Sequence, residues 1–218
     1  MNPFTIHPDT TLGPVVLQTA NLLRAVEFYT DVIGLHVVEK DNNHAAMGVE
    51  DSVALIELVE QQDAMPKPAR TTGLYHFALL MPARLDLALA LRHLTEVGYP
   101  LQGASDHLVS EALYLADPDG NGIEIYVDRP RDVWQWQDGQ LEMATLPLNV
   151  QELMLELEQD DASWTGLPAG TRMGHIHLHV DDLASVEAFY QDALGFDRVA
   201  RYGPSAVSYT HLTLPTII

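Results

Sequence analysis

GPVVLQTANLLRAVEFYTDVIG, residues 13–34, recurs as GHIHLHVDDLASVEAFYQDALG, residues 174–195. The offset is 161 residues and the alignment needs no gap. Gly13 meets Gly174, Phe28-Tyr29 meets Phe189-Tyr190, Asp31 meets Asp192 and Gly34 meets Gly195. Agreement at that density marks an internal repeat, and a repeated supersecondary unit organises the whole reading. Each copy opens with a short apolar run, Val15 to Thr19 or His175 to Val180, which predicts a strand. Asn21 and Asp182 then stand where a helix N-cap needs a side-chain acceptor. Leu22, Val26, Tyr29 and Ile33 follow helical spacing, as do Leu183, Val186, Tyr190 and Leu194. Gly34 and Gly195 fall where a helix ends in a left-handed residue.

Working outward, strands are expected at His36 to Glu39, His44 to Val49 and Val53 to Val59. A weaker copy lies between the two strong ones. Leu74 to Leu80 reads as a strand and Leu85 to Val97 as a helix ended by Gly98. Strands follow near Leu101, at Ala112 to Ala116 and at Gly122 to Val127. The expected fold class is α+β, built from βαβββ units at 10–62, 72–128 and 172 onward. The domain expectation is 8–130 for a first two-unit domain, 131–171 for a linker and 172–206 for the start of a second, truncated domain. The linker carries Pro130, Trp134 and Trp136 at or near its start and the acidic run Glu152 to Asp161, expected as a solvated short helix. Residues 207–218 are expected to be a non-native tail. Their sequence, within SYTHLTLPTII, resembles a translated sequencing adaptor rather than a continuation of the repeat. On that expectation the 218-residue chain lacks about 80 residues of its parent.

Composition narrows the chemistry. Of 218 residues, 47% are hydrophobic and 19% charged, which suits a globular chain. No run of 18 apolar residues occurs, and Met1 to Pro14 has neither the basic nor the apolar part of a secretory signal. Cytoplasmic location is the expectation. A formal charge of −20 repels phosphate backbones, so nucleic acid is not an expected partner. Without cysteine there is no thiolate ligand or nucleophile, and any transition-metal site must use His, Asp or Glu; ten histidines are present.

The chemistry-bearing stretch is His107 to Glu124, HLVSEALYLADPDGNGIE. Asp117 to Gly122 is a turn-forming run between two strands. Glu124 then interrupts an apolar strand of Ile123, Ile125 and Tyr126. Such a carboxylate either faces solvent or has a partner, of which a metal is a common kind. His107, five residues, Leu113-Tyr114, two residues, Asp117-Pro118, one residue, Gly120, three residues and Glu124 resembles the signature of extradiol ring-cleavage dioxygenases. Ser105 departs from the residues usual two before that histidine. The repeats and the phrases EFYTDVIG and AFYQDALG resemble the vicinal oxygen chelate superfamily, and GLYHFALLMP and GHIHLHV resemble bacterial two-domain catechol 2,3-dioxygenases, over roughly residues 10–206.

The resemblance implies a 2-His-1-carboxylate set on non-haem Fe(II), with Mn(II) as the alternative metal. The implied substrates are a small aromatic diol and O2. Glu124 carries over as the carboxylate and His76, 48 residues earlier, as one histidine. The usual position of the third ligand holds Pro14, which cannot ligate; the repeat puts His175 at the equivalent place in the third unit. Units two and three are therefore expected to share one bowl. His107 and Tyr114 match catalytic positions beside the metal, for proton transfer and for a hydrogen bond to a ligated oxygen. His7, His36, His44 and His93 are expected to be structural or exposed. A glyoxalase-type isomerase or thiol transferase, with Glu57 as a further ligand, and a metal-free aromatic-binding module of the bleomycin-resistance kind are the alternative functions. A homo-oligomer is compatible with either.

Overall fold

Asn21 and Asp182 cap the two repeated helices as their sequences demand. Asn21 Oδ1 accepts from the Arg24 amide at 3.0 Å, and Asp182 Oδ2 from the Ser185 amide at 2.9 Å. In this computed structural model each helix begins as α and finishes as a π turn. α1 (Leu22–Glu27) runs into a π turn at Phe28–Val32, and the last helix has a matching turn at Phe189–Ala193. Helical spacing did not reveal this widening, because the apolar residues fall inward in both helix types. Gly34 and Gly195 end the two segments at φ +84° and +73°, conformations in which a Cβ is strained.

The structure describes residues 5–7, 9–49, 53–65, 67–68, 71–158, 161–202, 206–211 and 214–217. Unit one comprises β1 (Val15–Thr19), α1, β2 (His36–Lys40), β3 (His44–Val49) and β4 (Val53–Glu60). Its sheet order is β1-β4-β3-β2, with β1 parallel to β4. Unit two repeats the plan with β5 (Gly73–Leu80), α2 (Arg84–Glu96), β6 (Gly103–Asp106), β7 (Ser110–Ala116) and β8 (Gly122–Asp128). β6 begins two residues after Leu101, whose side chain instead packs half-buried on the core.

The segment after unit two is more structured than a linker. It holds β9 (Trp136–Gln137) paired with β10 (Gln140–Leu141), then β11 (Leu146–Pro147), which adds to the edge of β6, and α3 (Val150–Met154). The acidic run is helical as far as Glu158, but it is not merely solvated: Glu156 meets Arg84 at 2.8 Å and Glu152 lies 3.8 Å from it. Gln159 and Asp160 of that run lie outside the described residues.

Unit three contributes β12 (Arg172–His179), α4 (Leu183–Ala188), β13 (Asp197–Tyr202), β14 (Ala206–His211) and β15 (Leu214–Ile217). The backbone thus continues as a three-strand meander through most of the segment read as a foreign tail; its residues 212, 213 and 218 lie outside the described residues. β12 joins unit two: the sheet order is β11-β6-β7-β8-β5-β12, with β12 antiparallel to β5. Among the described residues no helix is long and apolar enough to cross a membrane.

One face of the unit-two sheet buries Phe77, Leu79, Ile123 and Ile125 with Leu87, Leu91 and Leu94 of α2. The apolar face alternates with a second face carrying Ala78, Leu80, Ala112 and Tyr126, as the pleat requires. Unit one grips unit two through the turn at residues 117–122. Asp117 accepts from the Asp119 and Asn121 amides at 2.9 and 2.8 Å and from the buried Tyr29 hydroxyl at 3.0 Å. Asp119 receives Thr19 Oγ1 at 2.6 Å and is paired with Arg24. Burial, then the Asp117 charge, pushes the Tyr29 phenol far upward, so it stays a donor. Tyr29→Phe leaves the ring packed and removes one bond to a buried carboxylate. It is expected to cost about 1.5–3 kcal/mol, lowering Tm by roughly 3–10 °C for a chain of this size, measured by scanning calorimetry.

Candidate metal centre

Three small residues let three large ones meet. Across the sheet, Glu124 on β8 is level with Ala78 on β5, and Ala78 with His175 on β12. Ala78, fully buried, has too little bulk to separate its neighbours, so Glu124 reaches over it to His175. One row along, Gly122, His76 and His177 are level. A Cβ on Gly122 would lie 2.3 Å from the Tyr75 carbonyl and 3.0 Å from the His76 Cβ, so only glycine admits β5 this closely. Gly174, beside His175, plays a similar part toward Tyr126.

His76 Nε2 lies 2.9 Å from Glu124 Oε2, His175 Nε2 lies 3.1 Å from the same oxygen, and the two nitrogens are 3.3 Å apart. All three residues are buried and form the one His/Asp/Glu group of this kind among the described residues. Ligand atoms about 2.1 Å from one ion would be separated by about 3.0 Å at right angles and about 3.4 Å in a tetrahedron. The two shorter edges fit the right-angled set and the third lies between the two. Two imidazole nitrogens converging on one carboxylate oxygen present a donor set that suits a divalent cation. Burial opposes ionisation of Glu124, but His175 and then His76 outweigh it and hold the carboxyl far below the usual range. The carboxylate is therefore anionic, as a metal ligand must be.

A cavity of about 500 Å³ opens on this cluster, walled by Tyr75, His107, Tyr114, Ile123, Met143 and His177 among others. His107 sits on the β6–β7 turn, which is held by a bond from its amide to the Ser110 carbonyl at 2.8 Å and by Asp106 Oδ1 accepting from the Leu108 amide at 2.8 Å. Leu108 adopts φ +69°, rare for a side chain of its size, and such strain is tolerated where surrounding contacts fix the turn. Arg129 adds one, reaching Asp106 at 2.8 Å and Glu111 at 3.1 Å.

The His107 tautomer follows from its partners. Nδ1 is 2.7 Å from the Ala144 carbonyl, which only accepts, so Nδ1 carries the proton. Nε2, 2.7 Å from the Tyr114 hydroxyl, then accepts from it. Burial and the Glu124 charge raise the Tyr114 phenol far above its usual value and keep it protonated.

The structure brings His76, Glu124, His107 and Tyr114 to one cavity, with His175 buried against the first two. Pro14 is exposed and does not line it. Glu57 is on the unit-one sheet, 3.6 Å from His44, away from the cluster. His93 stacks on Trp164 at 4.6 Å, and His7 is exposed beside Asp9. Sequence reasoning missed Met143 and Thr145, which reach the cavity from the segment read as a linker. Nothing in their spacing pointed there; Met143 and Thr145 are delivered by β11 pairing with β6. Tyr75 was also missed, and it packs edge-on to His177 at 4.8 Å.

The family model for the Glyoxalase/Bleomycin resistance protein/Dioxygenase superfamily matches residues 11–125. The chain is 46% identical over 206 residues to the catechol-2,3-dioxygenase of Bacillus subtilis (strain 168), covering 93% of this chain and 71% of that protein. It is 32% identical over 120 residues to biphenyl-2,3-diol 1,2-dioxygenase 3 of Rhodococcus globerulus, covering 54% of this chain and 63% of that one. A solved structure of a dioxygenase candidate from Bacillus subtilis subsp. subtilis str. 168 superposes with a TM-score of 0.62 at 15% identity, over 95% of this chain and 63% of that one, a likeness of fold. The chain thus belongs to the glyoxalase/bleomycin resistance protein/dioxygenase, or vicinal oxygen chelate, superfamily, and within it resembles the catechol dioxygenases.

Proposed function

We propose that this chain carries the reaction centre of an extradiol dioxygenase that opens catechol-type aromatic diols with O2, with Fe(II) held by His76, Glu124 and His175. The observation that carries the reading is the three-atom cluster with edges of 2.9–3.3 Å, whose His76 and Glu124 line a cavity large enough for a substituted benzene ring. Fe(II) bound there would supply chelation of both diol oxygens and activation of O2 at neighbouring open positions. Glu57 lies on another sheet, which disfavours the isomerase alternative with a second glutamate ligand.

The remaining work falls to the chain's own groups. Ile123 and Met143 give the ring an apolar wall and exclude water. The Tyr114 hydroxyl, donating to His107 Nε2, leaves its lone pairs free for a diol O–H. A proton taken from the diol passes to Tyr114 as the Tyr114 proton moves to His107 Nε2. The Ala144 carbonyl stabilises the resulting imidazolium by accepting from Nδ1. The reverse transfer returns the proton when the ring opens.

Two outcomes test this reading. Glu124→Gln keeps the shape and removes the anion, so it should lose most bound Fe(II) in metal analysis while circular dichroism stays unchanged; undiminished iron would sink the ligand assignment. His107→Phe should retain iron and catechol binding yet slow formation of the yellow ring-opened product by about 10²–10⁴-fold. Turnover equal to that of the unaltered protein would return His107 to a structural role.

A further inference from the structure

Among the described residues, three buried side-chain atoms have no hydrogen-bond partner: Tyr126 Oη, Arg129 Nε and His175 Nδ1. Two of them are neighbours. The Tyr126 and His175 rings have centroids 5.1 Å apart at 59°, and the residues are 1% and 3% exposed. Their hydrogen-bonding needs are complementary. His175 Nε2 points at Glu124 and His76, so its lone pair is on the ligand side and the ring proton belongs on Nδ1. Nδ1–H thus needs an acceptor, and a phenol oxygen can accept.

The backbone makes room for this hydroxyl. The β5–β12 register shifts between Met173 and His175, leaving Gly174 as an extra residue in the bulged strand. A Cβ at Gly174 would lie 2.2 Å from Tyr126 Oη, a distance no side chain allows. Tyr126 otherwise packs on Ala78, Leu80 and Ala112, a pocket that phenylalanine would fill as well. Packing therefore accounts for the ring but not for the hydroxyl.

We propose that the Tyr126 hydroxyl anchors the His175 ring once Nε2 takes a metal, accepting from Nδ1–H and so holding Nε2 toward the ion. Tyr126 is then a positioning residue, and the bulge at Gly174 exists to admit its oxygen. The proposal rests on the reading of His76, Glu124 and His175 as metal ligands. Groups behind a ligating histidine typically change metal affinity by about 10–100-fold when removed.

The test is anaerobic titration of Fe(II) into unaltered protein, Tyr126→Phe and Gly174→Ala, in competition with a chromogenic chelator, together with the melting temperature of each metal-free protein. Tyr126→Phe is expected to bind Fe(II) about 10–100-fold more weakly with an unchanged or raised metal-free melting temperature, since it keeps the ring and no longer buries an unpaired hydroxyl. Gly174→Ala should weaken binding in the same direction by displacing the oxygen. Equal Fe(II) affinity in Tyr126→Phe overturns the proposal. A fall in its metal-free melting temperature that accompanies the affinity loss also overturns it, by making Tyr126 a packing residue. Unaltered protein that takes up no Fe(II) overturns the metal reading and this proposal with it, whereas uptake by unaltered protein with equal uptake by Tyr126→Phe overturns this proposal alone.

Discussion

The antiparallel pairing of β5 with β12 holds the rest of the site in place. These are the first strands of units two and three, and their ladder pairs Ala78 with His175 and His76 with His177, which brings the His76 and His175 rings, 99 residues apart in sequence, within 3.3 Å. Without that ladder, unit two would present one histidine and one carboxylate and unit three an isolated histidine. With it, a single six-stranded sheet carries all three on one face while α2 covers the other. Strand pairing fixes side-chain direction through the pleat, so a slip of one residue would turn His175 to the other face. The bulges at Gly174 and near Tyr75 adjust this register locally.

Space is as decisive as polarity. Ala78, Gly122 and Gly174 contribute almost no side chain, and each lies beside a larger group that uses the room. Ala78 separates Glu124 from His175 by no more than a methyl group. Gly122 lets β8 approach His76, and Gly174 clears the Tyr126 oxygen. Any of the three enlarged would meet backbone or a site residue, and dense interiors accommodate such changes poorly.

Support for the cavity comes from segments outside unit two. The turn at 117–122, a hairpin connection by sequence, is also where Tyr29, Thr19 and Arg24 of unit one attach. The segment after unit two returns to β6, sets the His107 tautomer through the Ala144 carbonyl and brings Met143 to the cavity wall. Arg84, paired with Glu111 of β7 at 2.6 Å and with Glu156 at 2.8 Å, ties that returning segment to the sheet.

The sequence by itself determined the units and much of the chemistry within them. Caps at Asn21 and Asp182, terminal glycines, apolar periodicity and a gapless repeat are local features, and local features survive in one dimension. For the same reason β1 and β3 match their expected limits and Glu124 stood out within an apolar strand. Pro14 and the repeat position of His175 already pointed to units two and three as partners, but tertiary structure alone decided that their first strands pair antiparallel within one sheet, because that pairing depends on edges that composition does not distinguish. It also decided that the segment at 131–171 closes the cavity, that α1 and α4 end in π turns, and that Tyr126 faces His175 across a bulge. Each depends on distances between residues far apart in the chain, set when the strands dock and side chains compete for the same volume.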